Sequence, residues 1–297
     1  MRASLSGRLI VVLTALLLIA GCDGGGGGST TDYSTGTQAL TLEFLPASPP
    51  RCPKVMYHGE TADVEMVVEN HGAASASGKV HLSGFDPQIF SGLNSDYPFS
   101  GLAGRSQSLP DGGRKDLSDS FTMKLPSGVD IFPNVNLQAD ACYSYSTSPS
   151  IQVCVDPDPS DDENDACSAG VTSGVSGGQG GPIAVTNVAV DSSKSRTTFI
   201  FTVSNRGGGK PYLGGNCMDI PADSDETIRL VSAKISDGRP LDCTPGAGSS
   251  LRLDGGRVDF TCHMSNNGDS AYVTILSLKF DYNYKQTSSI QVCGKRG

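Results

Sequence analysis

The chain has 297 residues, with 31 acidic against 22 basic side chains and a formal charge of −9. That balance argues against nucleic-acid binding and against electrostatic adhesion to anionic lipid headgroups. The chain holds 37 glycines and no tryptophan, and no helix-forming stretch follows residue 22, so short strands joined by turns are expected. Its length allows two domains of ordinary size.

The N-terminal segment carries Arg2 and Arg8, then an apolar run over residues 9–13 that continues through Ala15 to Ala20. This is a signal-peptide pattern, too short and wrongly flanked for a spanning helix. The residues Ile19-Ala20-Gly21-Cys22 resemble the lipobox of bacterial lipoproteins. The resemblance implies a signal peptide over 1–21, cleavage before Cys22 and a diacylglycerol on its sulfur. It therefore implies an extracytoplasmic protein held to a membrane by acyl chains, with more than one chain needed for stable anchoring. Asp23 resembles the signal for inner-membrane retention in enterobacterial lipoproteins. Residues 22–37, with five consecutive glycines from Gly24 to Gly28, read as a flexible tether.

The remaining eight cysteines are Cys52, Cys142, Cys154, Cys167, Cys217, Cys243, Cys262 and Cys293. An even count in an exported chain reads as disulfides. Zinc does not fit, because no pair has CxxC spacing and the four histidines are scattered.

An internal repeat organises the rest. Tyr143, Tyr145, Ser150, Ile151, Gln152, Val153 and Cys154 match Tyr282, Tyr284, Ser289, Ile290, Gln291, Val292 and Cys293 without a gap. Upstream, the strand-like run ending in Asn70 and Gly72 matches the one ending in Asn205 and Gly207. Two homologous domains are expected, over 38–157 and 182–294, with an acidic then Gly/Ser-rich linker over 158–181. Period-two alternation at Val64, Met66 and Val68 and over residues 79–83 predicts strands in the first. Residues 198–203, 272–280 and 289–292 predict them in the second. With turns at regular spacing, the expected fold is all-β, two tandem β-sandwiches. The Val-rich strand ending in Asn-x-Gly is similar to immunoglobulin-like modules of bacterial and archaeal surface proteins, such as the cell-adhesion-related bacterial domain. That resemblance implies a binding or adhesion role, with a protein or glycan partner at the cell envelope.

Residues 141–155 read as a hairpin turning at Thr147-Ser148-Pro149, which sets Cys142 opposite Cys154. The rival set pairs Cys154 with Cys167 and Cys52 with Cys142. In the second repeat Cys243 pairs with Cys262 around a turn at Asp254-Gly255-Gly256, leaving Cys217 for Cys293.

Catalytic signatures do not emerge, and the reading is non-enzymatic. There is no GxSxG. Arg206 to Lys210 lacks the spacing of a phosphate loop and reads as a hairpin turn. His58, His71, His81 and His263 show no paired spacing and read as solvated. Asp156, Asp158, Asp161, Asp162, Glu163 and Asp165 offer hard oxygen ligands for calcium, against the alternative of a solvated charge run. Tyr143, Tyr145, Tyr282 and Tyr284 serve either sheet packing or ligand stacking. Alternatives to the binding role are a hydrolase or carbohydrate-active enzyme built on loops, and a self-assembling structural subunit.

Overall fold

The computed structural model describes residues 33–158, 160, 166–167, 173–174, 178–215, 217–220, 226–266, 268 and 270–297. The first repeat contributes β1 (Leu40–Phe44), β2 (Val55–Tyr57), β3 (Thr61–Asn70), β4 (Ala76–Ser83), β5 (Phe90–Ser91), β6 (Asp96–Leu102), β7 (Arg114–Met123), β8 (Ile131–Thr147) and β9 (Ser150–Val155). The second contributes β10 (Ser173–Gly174), β11 (Ile183–Ser192), β12 (Arg196–Asn205), β13 (Lys210–Tyr212), β14 (Glu226–Ile235), β15 (Asp242–Thr244), β16 (Ser250–Leu253), β17 (Arg257–Ser265) and β18 (Tyr272–Lys295). A single 3-10 turn, Cys217–Asp219, is the one helical segment among the described residues. The fold is all-β, as the alternating sequence requires.

Each repeat builds a sandwich. In the first, the sheet β1-β3-β7-β5 faces β8, β4 and β6; in the second, β10-β11-β12-β17-β15 faces β18, β14 and β16. The alternation is physical: Val64, Met66 and Val68 are buried between the half-buried Glu65 and Glu69. Hydrophobic side chains from both repeats merge into one core cluster.

The expected boundary between two separate domains does not appear. Residues Asp32–Gly297 form one compact unit, because β8 and β18 are neighbours in a single nine-stranded sheet, order β16-β14-β18-β8-β4-β6. Their register explains the fusion. Tyr143 lies opposite Tyr284, Ser144 opposite Asn283 and Tyr145 opposite Tyr282. Since Tyr143 and Tyr145 are the repeat equivalents of Tyr282 and Tyr284, a local two-fold axis passes between Ser144 and Asn283.

The same axis governs the strand ends. The expected hairpin at residues 147–149 does not form. The chain runs on, and β9 pairs with the start of β18, Ile151 opposite Leu276 and Cys154 opposite Val273. The backbone N–H of Leu278 donates to the Pro149 carbonyl at 3.0 Å, bridging the gap between the two ladders. Symmetrically, the end of β18 pairs with the start of β8, Ile290 opposite Leu137. Each repeat thus lends its final strand to the other, an internal strand exchange.

The disulfides follow from this exchange. They are Cys52–Cys293, Cys142–Cys217, Cys154–Cys167 and Cys243–Cys262. The expected Cys142–Cys154 pair fails because β9 leaves β8 for the other repeat. Cys217 and Cys293, expected to pair within the second repeat, each reach into the first. Cys243 and Cys262 do pair, directly opposite on β15 and β17, although β16 between them crosses to the other sheet. Four disulfides fit folding in an oxidising, extracytoplasmic environment.

Candidate functional site

Four tyrosines surround the two-fold axis on the core side of the shared sheet. Their ring centroids are 5.9 Å apart for Tyr143–Tyr284, 6.1 Å for Tyr145–Tyr282, and 6.1 and 6.2 Å along the two strands. All four are buried, so packing, not ligand stacking, is their role. Their hydroxyls still find partners. Tyr145 Oη accepts from Ala74 N at 3.0 Å and donates to Gly180 O at 2.8 Å. Tyr284 Oη accepts from Gly209 N and donates to Asn205 Oδ1, both at 3.0 Å. Burial pushes Tyr145 up to about 12 and raises the other three as well.

These hydroxyls account for the repeated Asn-x-Gly. Asn70 and Asn205 accept from the amides of Gly72 and Gly207 at 3.0 and 3.1 Å. A Cβ at Gly72 would lie 1.9 Å from Tyr145 Oη, and one at Gly207 would lie 2.3 Å from Tyr284 Oη. The motif is a turn closed by a tyrosine, and its glycine leaves room for that hydroxyl.

The opposite face of the nine-stranded sheet is polar around its capped centre, with Val273 and Ile275 exposed where β18 begins. Cys217, in the 3-10 turn, is bonded to Cys142 on β8. Together with Tyr212 they form a small separate cluster, against which Met218 and Ile220 pack. Burial raises the Tyr212 phenol. Two clefts lie on this face. One, of about 420 Å³, is lined by Ser75, Ser144, Ser146, Arg229, Asp281 and Asn283, among others. The other, of about 400 Å³, is lined by Gln138, Gly208, Gly209, Lys210, Ile220, Lys285 and Thr287.

Beneath the second cleft sits Asp140, whose side chain has no exposed surface. Its carboxylate accepts from Thr287 Oγ1 at 2.5 Å and Gln138 Nε2 at 2.9 Å, and pairs with Lys285 Nζ at 3.5 Å. Further out on β4 and β6, His81 Nδ1 lies 2.7 Å and Lys79 Nζ 3.2 Å from Asp96. The hydrogen bond from His81, aided by Lys79, holds the Asp96 carboxyl below its ordinary value despite partial burial.

The residues expected to carry chemistry are dispersed. His58 accepts from Leu125 N at 2.9 Å, His71 lies 3.3 Å from Glu69, and His263 pairs with Thr198 Oγ1 at 3.0 Å. Each histidine has its own local partner, so the expectation of four solvated rings is refined. In the acidic run, Asp156 is buried and accepts from Asp158 N at 3.0 Å, while Asp158 pairs with Lys194 at 2.9 Å. Asp161, Asp162, Glu163 and Asp165 lie outside the described residues, as do Cys22 and Asp23. Among the described residues no cluster of three or more ligating side chains occurs.

Sequence reasoning did not single out Asp140, Lys285 or Thr287, and it met Lys210 only at the end of the rejected phosphate-loop spacing. The period-two signal was present: Leu137, Ala139, Ala141, Tyr143 and Tyr145 all point inward, which puts Gln138 and Asp140 on the outer face. Asp140's burial depends on partners from β18, 147 residues along the chain in the case of Thr287. No protein-family model matches the chain. A search of curated proteins finds no similar sequence.

Proposed function

We propose that the protein is a lipid-anchored extracytoplasmic binding module, non-catalytic, which presents the polar face of its shared sheet to a protein or glycan partner at the cell envelope. One observation carries this reading: where the chain enters the folded body. Gly36 bridges Gly178, Gly180 N donates to Gly36 O at 3.0 Å, and Arg105 donates to Thr35 O. Leu40 then begins β1, in the layer that backs the nine-stranded sheet. Residues 33–40 therefore enter through the layer behind the polar face. The lipobox resemblance supplies the anchor, and the disulfides hold the face rigid enough for recognition.

Two measurements test this. Cys22→Ser should move the protein from the membrane to the soluble fraction; a variant still extractable only with detergent overturns the anchor. A photo-crosslinking residue at Ser144, on the polar face, should capture envelope partners that one at Ile200, outward on β12, does not. Equal capture at both positions overturns the assignment of the face.

A further inference from the structure

The two clefts on the outer face of the shared sheet differ in how their polar groups are satisfied. In the second, Asp140 takes up Thr287, Gln138 and Lys285. In the first, of about 420 Å³, polar groups are left over. Ser144 and Ser146 alternate on β8 with buried Tyr143 and Tyr145, Asp281 and Asn283 on β18 with buried Phe280, Tyr282 and Tyr284, and Arg229 stands between buried Ile228 and Leu230 on β14. Period two turns all five outward, and Ser75, just before β4, joins them at the cleft. Among the described residues, the side chains of Ser75, Ser146, Arg229 and Asn283 have no hydrogen-bond or ion-pair partner. The Ser144 hydroxyl has only a long contact, 3.5 Å, to the Ser77 carbonyl.

Arg229 and Asp281 lie directly opposite each other across β14 and β18, yet they form no ion pair. Asp281 instead lies 3.7 Å from the exposed Lys279, a contact that water screens. The cleft therefore holds one guanidinium and one carboxylate whose formal charges cancel, among three hydroxyls and an amide. Such a lining both donates and accepts hydrogen bonds, and its net charge selects neither anions nor cations. The wall at Leu213 is fixed, since Leu213 N donates to Thr227 Oγ1 at 3.1 Å and the chain beyond is pinned by Cys217 to Cys142. At Gly214 an added Cβ would meet nothing within 4 Å, so the backbone there is open to close approach. The cleft's volume falls within the range of small-ligand sites, roughly 300–1,000 Å³. The rings of Tyr145 and Tyr282 are committed to the core, which leaves recognition to hydrogen bonds.

We propose that this cleft binds a neutral saccharide, with Arg229 donating to its hydroxyls, Asp281 accepting from them, and Ser75, Ser144, Ser146 and Asn283 taking those that remain. The inference rests on the binding role proposed above and names sugar hydroxyls as the chemistry recognised. Each sugar hydroxyl both donates and accepts, which this mixed lining matches, and the two charge-assisted bonds are the strong ones.

The test is a ligand-observed NMR titration of the oxidised, detergent-solubilised full chain, with maltotriose, mannotriose, chitotriose and trigalacturonate as separate probes. Saturable binding of at least one neutral trisaccharide is expected, weakened about tenfold or more by Arg229→Gln and by Asp281→Asn, and little changed by salt. Lys54→Met, at an exposed position elsewhere, should leave it unchanged. Arg229 is exposed and Asp281 half-buried, so both variants should keep the fold, which circular dichroism checks. Binding confined to trigalacturonate, or lost as salt is raised, assigns a charged ligand and overturns the neutral class. No saturable binding of any neutral probe, or binding undiminished in either variant, overturns the site. Partner capture at Ser144 without saccharide binding leaves the binding face standing, and saccharide binding with equal capture at Ser144 and Ile200 leaves this cleft standing.

Discussion

Removing the Cys52–Cys293 bridge tests how far the two repeats depend on one another. The double variant Cys52→Ala/Cys293→Ala opens a ring of 241 residues. The chain-entropy relation puts its loop-closure contribution at about 5 kcal/mol. The Cys154–Cys167 bridge spans 13 residues, for which the same relation gives about 3 kcal/mol. The Cys142–Cys217 bridge, spanning 75 residues, short-circuits part of the larger ring, but the dependence on length is logarithmic and the difference changes little. Measured losses fall below such values when the unfolded chain retains structure. The ordering is the robust expectation: Cys52→Ala/Cys293→Ala costs more than Cys154→Ala/Cys167→Ala, by about 2 kcal/mol. Equilibrium urea unfolding without reductant, comparing midpoints at a common slope, measures it. Equal losses, or the reverse order, would refute the idea that long-range closure dominates.

Residues 182–297 expressed alone should not give a folded monomer by size-exclusion chromatography with light scattering. The fragment lacks β8 and β9, the partners of β18, and leaves Cys217 and Cys293 without theirs. Gly207→Ala should destabilise by about 2–4 kcal/mol in thermal or urea unfolding, because the new Cβ displaces the Tyr284 hydroxyl from two hydrogen bonds. In alkali, the buried tyrosines stay neutral above their ordinary pKa of 10, Tyr145 up to about 12. Folded pKa values above the unfolded ones mean this contribution is complete below pH 10 and lost as pH rises through 12. Absorbance titration should show those phenols ionising only as the protein unfolds. Asp96, held low by His81 and Lys79, contributes stability above its unfolded pKa that fades as pH falls through the folded value. Asp96→Asn should flatten that acid limb slightly, as read from midpoints between pH 5 and pH 2, the pair being solvent-exposed.

The sequence made the strands, turns and duplication legible because each is local or periodic. Val64 to Val68 alternates within one strand, and the match of Tyr143 to Cys154 with Tyr282 to Cys293 needs only an alignment of the chain with itself. What stayed hidden was which copy each strand joins. Residues 148–149 contain Ser148 and Pro149, a dipeptide equally suited to a tight turn and to an extended step. Local chemistry favoured the hairpin. The competing exchange is stabilised by partners more than a hundred residues away, Ile151 with Leu276 and Leu137 with Ile290. The disulfide assignments inherited that choice, which is why Cys243–Cys262, set within one sheet, was found and the pairs linking the repeats were not. Asp140 was obscured for the same reason, since an outward aspartate on an alternating strand reads as solvated until β18 is laid beside it.

The Cys52–Cys293 bond also sets how the molecule bears a mechanical load. Tension applied at residues 33–36 acts first on the contacts of Thr35 and Gly36 with Arg105, Gly178 and Gly180, then on β1, which among the described residues is hydrogen-bonded along one side only, to β3. Peeling β1 away releases slack up to Cys52. Beyond that point the chain is a covalent ring closed at Cys293, and pulling further cannot draw its ends apart. The bridge therefore acts as a stop. The first strand is thus a short compliant leash, and beyond it the bond divides the load between the segments that leave Cys52 and Cys293.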